Sequence, residues 1–132
     1  MSNSLDGYAV FITGGSSGLG LSHARVLAGR GARVAITDFK QESLDRASAE
    51  LRQDGVEAFC LLADNRVVAE IKNAVAAAEA EFGKLDVLVN NAGITGMMKP
   101  IEDIDEAFFV SLFDTHVKGA FFAVQAVVPG MK

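Results

Sequence analysis

Four short apolar runs rich in β-branched residues, each followed by a segment of helical period, constrain this chain more than any other feature. The runs are 9–13 (AVFIT), 33–38 (RVAITD), 57–62 (EAFCLL) and 86–90 (DVLVN). Their apolarity is nearly continuous rather than alternating, as for strands covered on both faces. In the first helical segment Leu19, His23, Val26 and Leu27 share a face, and the pattern stops at Gly29 or Gly31. Leu44, Ala47 and Leu51 mark the second, with Glu42, Asp45, Arg46, Glu50 and Arg52 turned to water and Gly55 as its stop. Val67, Ile71, Val75, Ala78 and Phe82 mark the third, closed by Gly83, and a fourth runs from about Ile104 to Val128 between Pro100 and Pro129-Gly130. Strand and helix alternating four times predict an α/β fold, a parallel sheet joined by right-handed crossovers. The 132 residues are expected to form one domain, 1–132, able to bury roughly two thirds of its unfolded surface.

Composition removes several function classes. Half of the residues are hydrophobic and 22% are charged, which argues against disorder. A formal charge of −5 lacks the basic face needed to displace counterions from phosphates, so no nucleic-acid partner is expected. Uninterrupted apolar stretches fall short of the roughly 18 residues of a membrane helix, so no membrane partner is expected either. Residues 1–6 (MSNSLD) carry no basic patch before an apolar run, the mark of a secretory signal. The single cysteine, Cys60, excludes an intramolecular disulfide and suits a reducing cytoplasm, where it reads as a small buried hydrophobe. No metal is expected.

Residues 13–20 (TGGSSGLG) lie between the first strand and the first helix. A strand turning into a helix there leaves the first helical N–H groups free, and with the helix dipole they favour a pyrophosphate. Gly14 and Gly18 permit positive φ and close approach of a phosphate, while Gly20 permits tight packing of helix on strand. Ser16 and Ser17 add hydroxyl donors, and Leu19 opens the helix. The spacing G-x-x-x-G-x-G differs from the common G-x-G-x-x-G fingerprint. Asp38 ends the second strand 18 residues after Gly20, near the spacing of about 20 expected for the acid that binds a ribose 2′-hydroxyl. A carboxylate there accepts hydroxyl protons and repels a 2′-phosphate, favouring NAD over NADP. Lys40 softens that preference, and a helix N-cap or a solvated acid is the other reading of Asp38. His23 reads as a surface or packing residue.

The glycine run resembles the cofactor loop of short-chain dehydrogenases/reductases. A second resemblance, 85–93 (LDVLVNNAG), falls at the end of the fourth strand. The family implies a doubly wound Rossmann-type sheet, here partial, with strand order 3-2-1-4 and an adenine dinucleotide as partner. It implies that Gly14, Ser16, Ser17, Gly18 and Leu19 line the pyrophosphate and adenosine ribose. Asp64 looks like the acid that receives the adenine amino group, with Asn65 beside it. Asn90 would tie neighbouring strands, while Asn91, Ala92 and Gly93 would form an uncrowded floor under the cofactor's ribose. Residues 115–119 (THVKG) resemble the family's Asn-Val-x-Gly, with His116 in place of the asparagine. His116 then has two readings, a proton relay or a hydrogen-bonded structural histidine.

The family's hydride transfer between nicotinamide and a carbonyl or alcohol uses a tyrosine, a lysine four residues later and a serine. The only tyrosine here is Tyr8, with Ile12 four residues on. The resemblance therefore implies the N-terminal, cofactor-binding half of such a protein, truncated before its catalytic segment and catalytically incompetent alone. The alternative is a non-catalytic nucleotide-binding or interaction module. Residues 95–98 (TGMM) are the remaining substrate-side loop. Without a fifth strand, the fourth would be an open apolar edge, and helix four is apolar on more than one face. A homo-oligomer through either surface is expected.

Overall fold

Val10, Phe11 and Ile12 are each at most 1% exposed, because helices cover both faces of the strand they build. That strand, β1 (Ala9–Ile12), lies inside a four-stranded sheet with β2 (Arg33–Asp38), β3 (Phe59–Leu62) and β4 (Val87–Val89). The computed structural model describes residues 4–95 and 99–132. The order is β3-β2-β1-β4 and every pairing is parallel. Val10 stands opposite Val34 on one side and Val87 on the other.

The two-residue period of the strands divides the core. Val10, Ile12, Val34 and Ile36 face α1 (Gly18–Gly29) and α2 (Gln41–Gln53). Ala9, Phe11 and Ala35 face the other layer, α3 (Val68–Phe82) and α5 (Gly119–Met131). Burying each large aliphatic or aromatic side chain stabilises the fold by about 1.5–3 kcal/mol.

Leu44, Ala47 and Leu51 are the buried stripe of α2, as their spacing predicts. The third helix buries Ile71, Ala74, Val75 and Ala78 and ends at Gly83, whose φ of 81° is left-handed. The first helix departs from the sequence reading. It buries Gly20, Leu21 and Ala24, whereas Leu19 is 73% exposed and His23 is exposed. Gly20 and Ala24 face the sheet beside Leu21 because the helix approaches it closely, and of the predicted stripe only Leu27 packs on the core. Hydrophobic period favours large side chains and so places Leu19 and Val26 on the wrong side.

The fourth helical segment comprises α4 (Glu106–Phe113), a π turn over Asp114–Lys118, and α5. Asp105 caps α4 by accepting the Phe108 N–H. Pro129 lies inside α5 instead of terminating it, since a proline in the last turns forfeits one N–H while the helix continues. Together Glu106–Met131 form 26 helical residues whose most apolar 18-residue window has a mean hydropathy of 1.3, long and apolar enough to cross a membrane. Counting uninterrupted apolar residues does not detect this. Within this fold 17% of that window is buried; Ala123 and Val127 are among the buried residues of the helix, with Val127 packed on the same core as α3. Phe109, Phe113, Val117, Phe121 and Val124 are exposed. Cys60 is only half-buried, because β3 is an edge of the sheet.

Candidate functional site

The carboxyl ends of β1, β2, β3 and β4 meet at one cleft. At the first, Gly14 and Gly18 adopt left-handed φ values of 63° and 52°, which turn the chain from strand into helix without a Cβ penalty. A Cβ on Gly14 would stand 2.8 Å from Ala92 Cα, so the glycine loop rests directly on the residues that follow β4. Ser17 is the extended N-cap of α1 and its side chain caps no described group. The N–H groups of Gly18 and Leu19 have no intrahelical acceptor, and both residues line the cleft.

The loop and the β4 exit are pinned together. Thr13 is buried, and its Oγ1 accepts the N–H groups of Asn91 at 3.1 Å and Ala92 at 3.0 Å. The Asn91 Nδ2 returns two bonds, to the carbonyls of Thr13 at 3.1 Å and Gly14 at 2.9 Å. Asn91 is thus the residue that ties the ends of β1 and β4. Asn90, expected in that role, donates instead to the Ala120 carbonyl of α5 at 3.2 Å. Successive residues leaving a strand point to opposite faces, and the tie belongs to the second asparagine.

The cleft has a volume of about 560 Å³. Gly14, Ser17, Gly18, Leu19, Asp38, Asp64, Asn65, Asn91, Ala92 and Gly93 line it, as do Thr37, Phe39, Ala63, Arg66, Ile94, Thr95 and Thr115. Phe39 and Arg66 carried a faint signal, since each lies within two residues of an expected acid. Gly20, the last glycine of the cofactor loop, packs tightly beneath the loop rather than lining the cleft, as its position predicts, and a Cβ there would overlap the Gly14 carbonyl oxygen. One expected contact lies elsewhere. Ser16 is 2% exposed and its hydroxyl donates to Asp38 Oδ2. The other Asp38 oxygen accepts the Lys40 N–H at 2.8 Å, and the Lys40 ammonium rests 5.3 Å from the Phe39 ring centre.

On the far wall Arg66 forks onto Asp64, with Nε 3.0 Å from Oδ1 and Nη2 2.7 Å from Oδ2. The Arg66 hydrogen bonds hold the Asp64 carboxyl below its ordinary value, against a smaller opposing effect of burial. The Asn65 amide donates to the Thr115 carbonyl at 2.9 Å, clasping the β3–α3 loop to the π turn. His116 Nε2 lies 3.1 Å from the Ile94 nitrogen and 2.9 Å from its carbonyl oxygen, and Gly93 leaves space for the ring. The ring is therefore seated on backbone, outside the residues lining the cleft.

Tyr8 is half-exposed and precedes β1, at the opposite end of the sheet from the cleft. Of the expected substrate-side loop, Gly96, Met97 and Met98 lie outside the described residues. Among the described residues no group of three His, Cys, Asp or Glu side chains is arranged to hold a metal.

Comparison with known proteins finds a family model, short chain dehydrogenase, matching residues 8–132. A 2-(S)-hydroxypropyl-CoM dehydrogenase 3 from Xanthobacter autotrophicus is 38% identical, covering 99% of this chain and 51% of the relative. The structure of an NAD+-bound xylitol dehydrogenase is 33% identical with a TM-score of 0.88, over 96% of this chain and 48% of that one. A short chain dehydrogenase from Burkholderia cenocepacia J2315, in complex with NADP, is 34% identical with a TM-score of 0.89, over 98% and 53%. The chain spans about half the length of the curated relatives it matches.

Proposed function

Because this chain belongs to the short-chain dehydrogenase family, we propose that its cleft binds an adenine dinucleotide, NAD in preference to NADP, as the cofactor-binding half of an oxidoreductase. The observation that carries this reading is the convergence of three features on one cavity. They are the uncapped start of α1, the acids Asp38 and Asp64 from the ends of β2 and β3, and the Asn91–Gly93 floor. The residues fit the group. A diphosphate suits the free amides of Gly18 and Leu19, a ribose diol suits Asp38, and an adenine amino group suits Asp64.

The NAD preference rests on Asp38, which lines the cleft while the Lys40 side chain does not. A 2′-phosphate would meet a carboxylate there, with the nearby ammonium engaged on Phe39. When bound, the nicotinamide ring supplies hydride chemistry toward a carbonyl or alcohol. Within these 132 residues Tyr8 is the only tyrosine, and it stands at the wrong end of the sheet to serve as proton donor. Losing a positioned acid costs about 10²–10⁴-fold, so the 132-residue chain alone is proposed to bind without turning over. Calorimetric titration with NAD, NADP and ADP-ribose tests the reading. ADP-ribose should bind within a few-fold of NAD, and NADP more weakly. No heat with any of the three would sink the assignment, and NAD binding a hundredfold tighter than ADP-ribose would refute the reading of an adenosine-side site.

A second reading, an interaction module that self-associates, is favoured by the exposed Phe109, Phe113, Val117 and Phe121 of the fourth helical segment. Contiguous apolar surface of this kind marks an interface. Light scattering at micromolar concentration should give a mass above that of the monomer, and a monodisperse monomer would count against it.

A further inference from the structure

We propose that Ser16 is a positioning residue that sets the choice between a 2′-hydroxyl and a 2′-phosphate, by fixing the plane of the Asp38 carboxylate. The proposal rests on the nucleotide reading above and adds to it a residue that never touches the ligand. Ser16 belongs to the glycine loop by sequence, yet it is 2% exposed and absent from the cleft lining. Its hydroxyl is turned under the loop onto Asp38 Oδ2.

The terminal torsion of an aspartate is broad, with no sharply preferred plane of its own. Here two donors from different segments take one oxygen each, the Ser16 hydroxyl on Oδ2 and the Lys40 N–H on Oδ1. An ionised carboxylate offers about four acceptor sites. Two therefore remain in the carboxylate plane on a residue that lines the cleft, enough to accept a vicinal diol and repel a phosphate. Without the Ser16 hydroxyl one oxygen is released, and the carboxylate turns about its remaining bond. The same residue is part of the loop that carries the α1 amides, so phosphate placement and sugar reading are linked through it.

The test is calorimetric titration of the 132-residue chain with ADP-ribose and with 2′-phospho-ADP-ribose, for the parent, Ser16→Ala, Asp38→Asn and the double variant. The parent should prefer ADP-ribose. Ser16→Ala should lower that preference by about five- to tenfold, the net scale of one ordinary hydrogen bond. In the Asp38→Asn background it should change the preference no further, since the two residues act as one unit. Ser16→Gly removes the same hydroxyl without demanding space, and its preference should fall equally if the alanine variant does not fold. An unchanged ratio in Ser16→Ala or Ser16→Gly overturns the proposal even if both affinities drop together, as does additivity with Asp38→Asn. Failure of the parent to bind either compound overturns the nucleotide reading itself.

Discussion

Two glycines of α1 should respond to the same substitution with opposite signs. At Gly20 an added Cβ would lie 2.4 Å from the Gly14 carbonyl oxygen and 2.5 Å from Asn91 Nδ2. Both are held, the first by the loop and the second by its bonds to Thr13 and Gly14, so neither yields as the free end of a flexible side chain would. Relieving the overlap requires a shift of about 1 Å to reach ordinary carbon contact distance. Overpacking of this kind costs about 1–3 kcal/mol. Strained Asn91 hydrogen bonds add about 1 kcal/mol, and removing a helical glycine returns about 0.5–1 kcal/mol. The net loss for Gly20→Ala is then about 1–3.5 kcal/mol. With an unfolding entropy of about 2.1 cal/mol/K per residue, that lowers the melting temperature by about 4–13 °C. At Gly29, the last residue of the same helix, nothing lies within 4 Å of the added Cβ. Gly29→Ala should therefore raise the melting temperature by about 2–4 °C through the helix-propensity gain alone. Thermal unfolding followed by circular dichroism, supported by urea titration, measures both. A Gly20→Ala protein melting at or above the parent would refute the close-packing argument, and so would a Gly29→Ala protein falling as far as Gly20→Ala.

Other expectations follow from the site and the surface. Arg66→Met should raise the Asp64 titration midpoint toward the ordinary carboxylate range, read from its side-chain carbon shift by NMR, because Arg66 is the main cause of the lowered value. In the parent, the Asp64 contribution to stability is fully present above the unfolded carboxylate pKa. It is lost as pH falls through the lower folded value, so Arg66→Met should flatten that acid limb in urea unfolding. Burial holds the Cys60 thiol above its ordinary value, so Ellman's reagent near pH 8 should react more slowly with the folded chain than with the urea-unfolded one; equal rates would contradict this. Replacing Phe113 and Phe121 together by Glu should raise the monomer fraction in light scattering while leaving ADP-ribose affinity within about twofold, since neither lines the cleft.

The βα alternation was legible because each strand is covered on both faces and reads as an unbroken apolar run, and the predicted bounds of β2 match the observed strand. Of the cleft residues, the glycine loop and Asp38 were legible through local chemistry, glycine at a sharp turn and an acid at a strand end, whereas Asp64, Asn65 and Asn91 came from the family resemblance. What failed has a common cause. Side-chain direction at a chain reversal depends on tertiary geometry, so Ser16 was read toward the ligand when it turns to Asp38, and Asn90 was given the tie that Asn91 makes. The face of α1 was misjudged because tight packing selects Gly20 and Ala24 over Leu19 and Val26. Pro129 reads as a stop in the sequence, yet its lost N–H falls where α5 is about to end.

The brace between Thr13 and Asn91 has a thermodynamic consequence. Immobilising the backbone of one residue costs about 1–2 kcal/mol in lost freedom. Slack loops at a strand terminus would exact that cost from every incoming ligand. Four hydrogen bonds already join the two loops in the free protein. A guest therefore meets a floor that is laid before it arrives, and the free energy of its docking goes into holding it rather than into assembling the place where it sits.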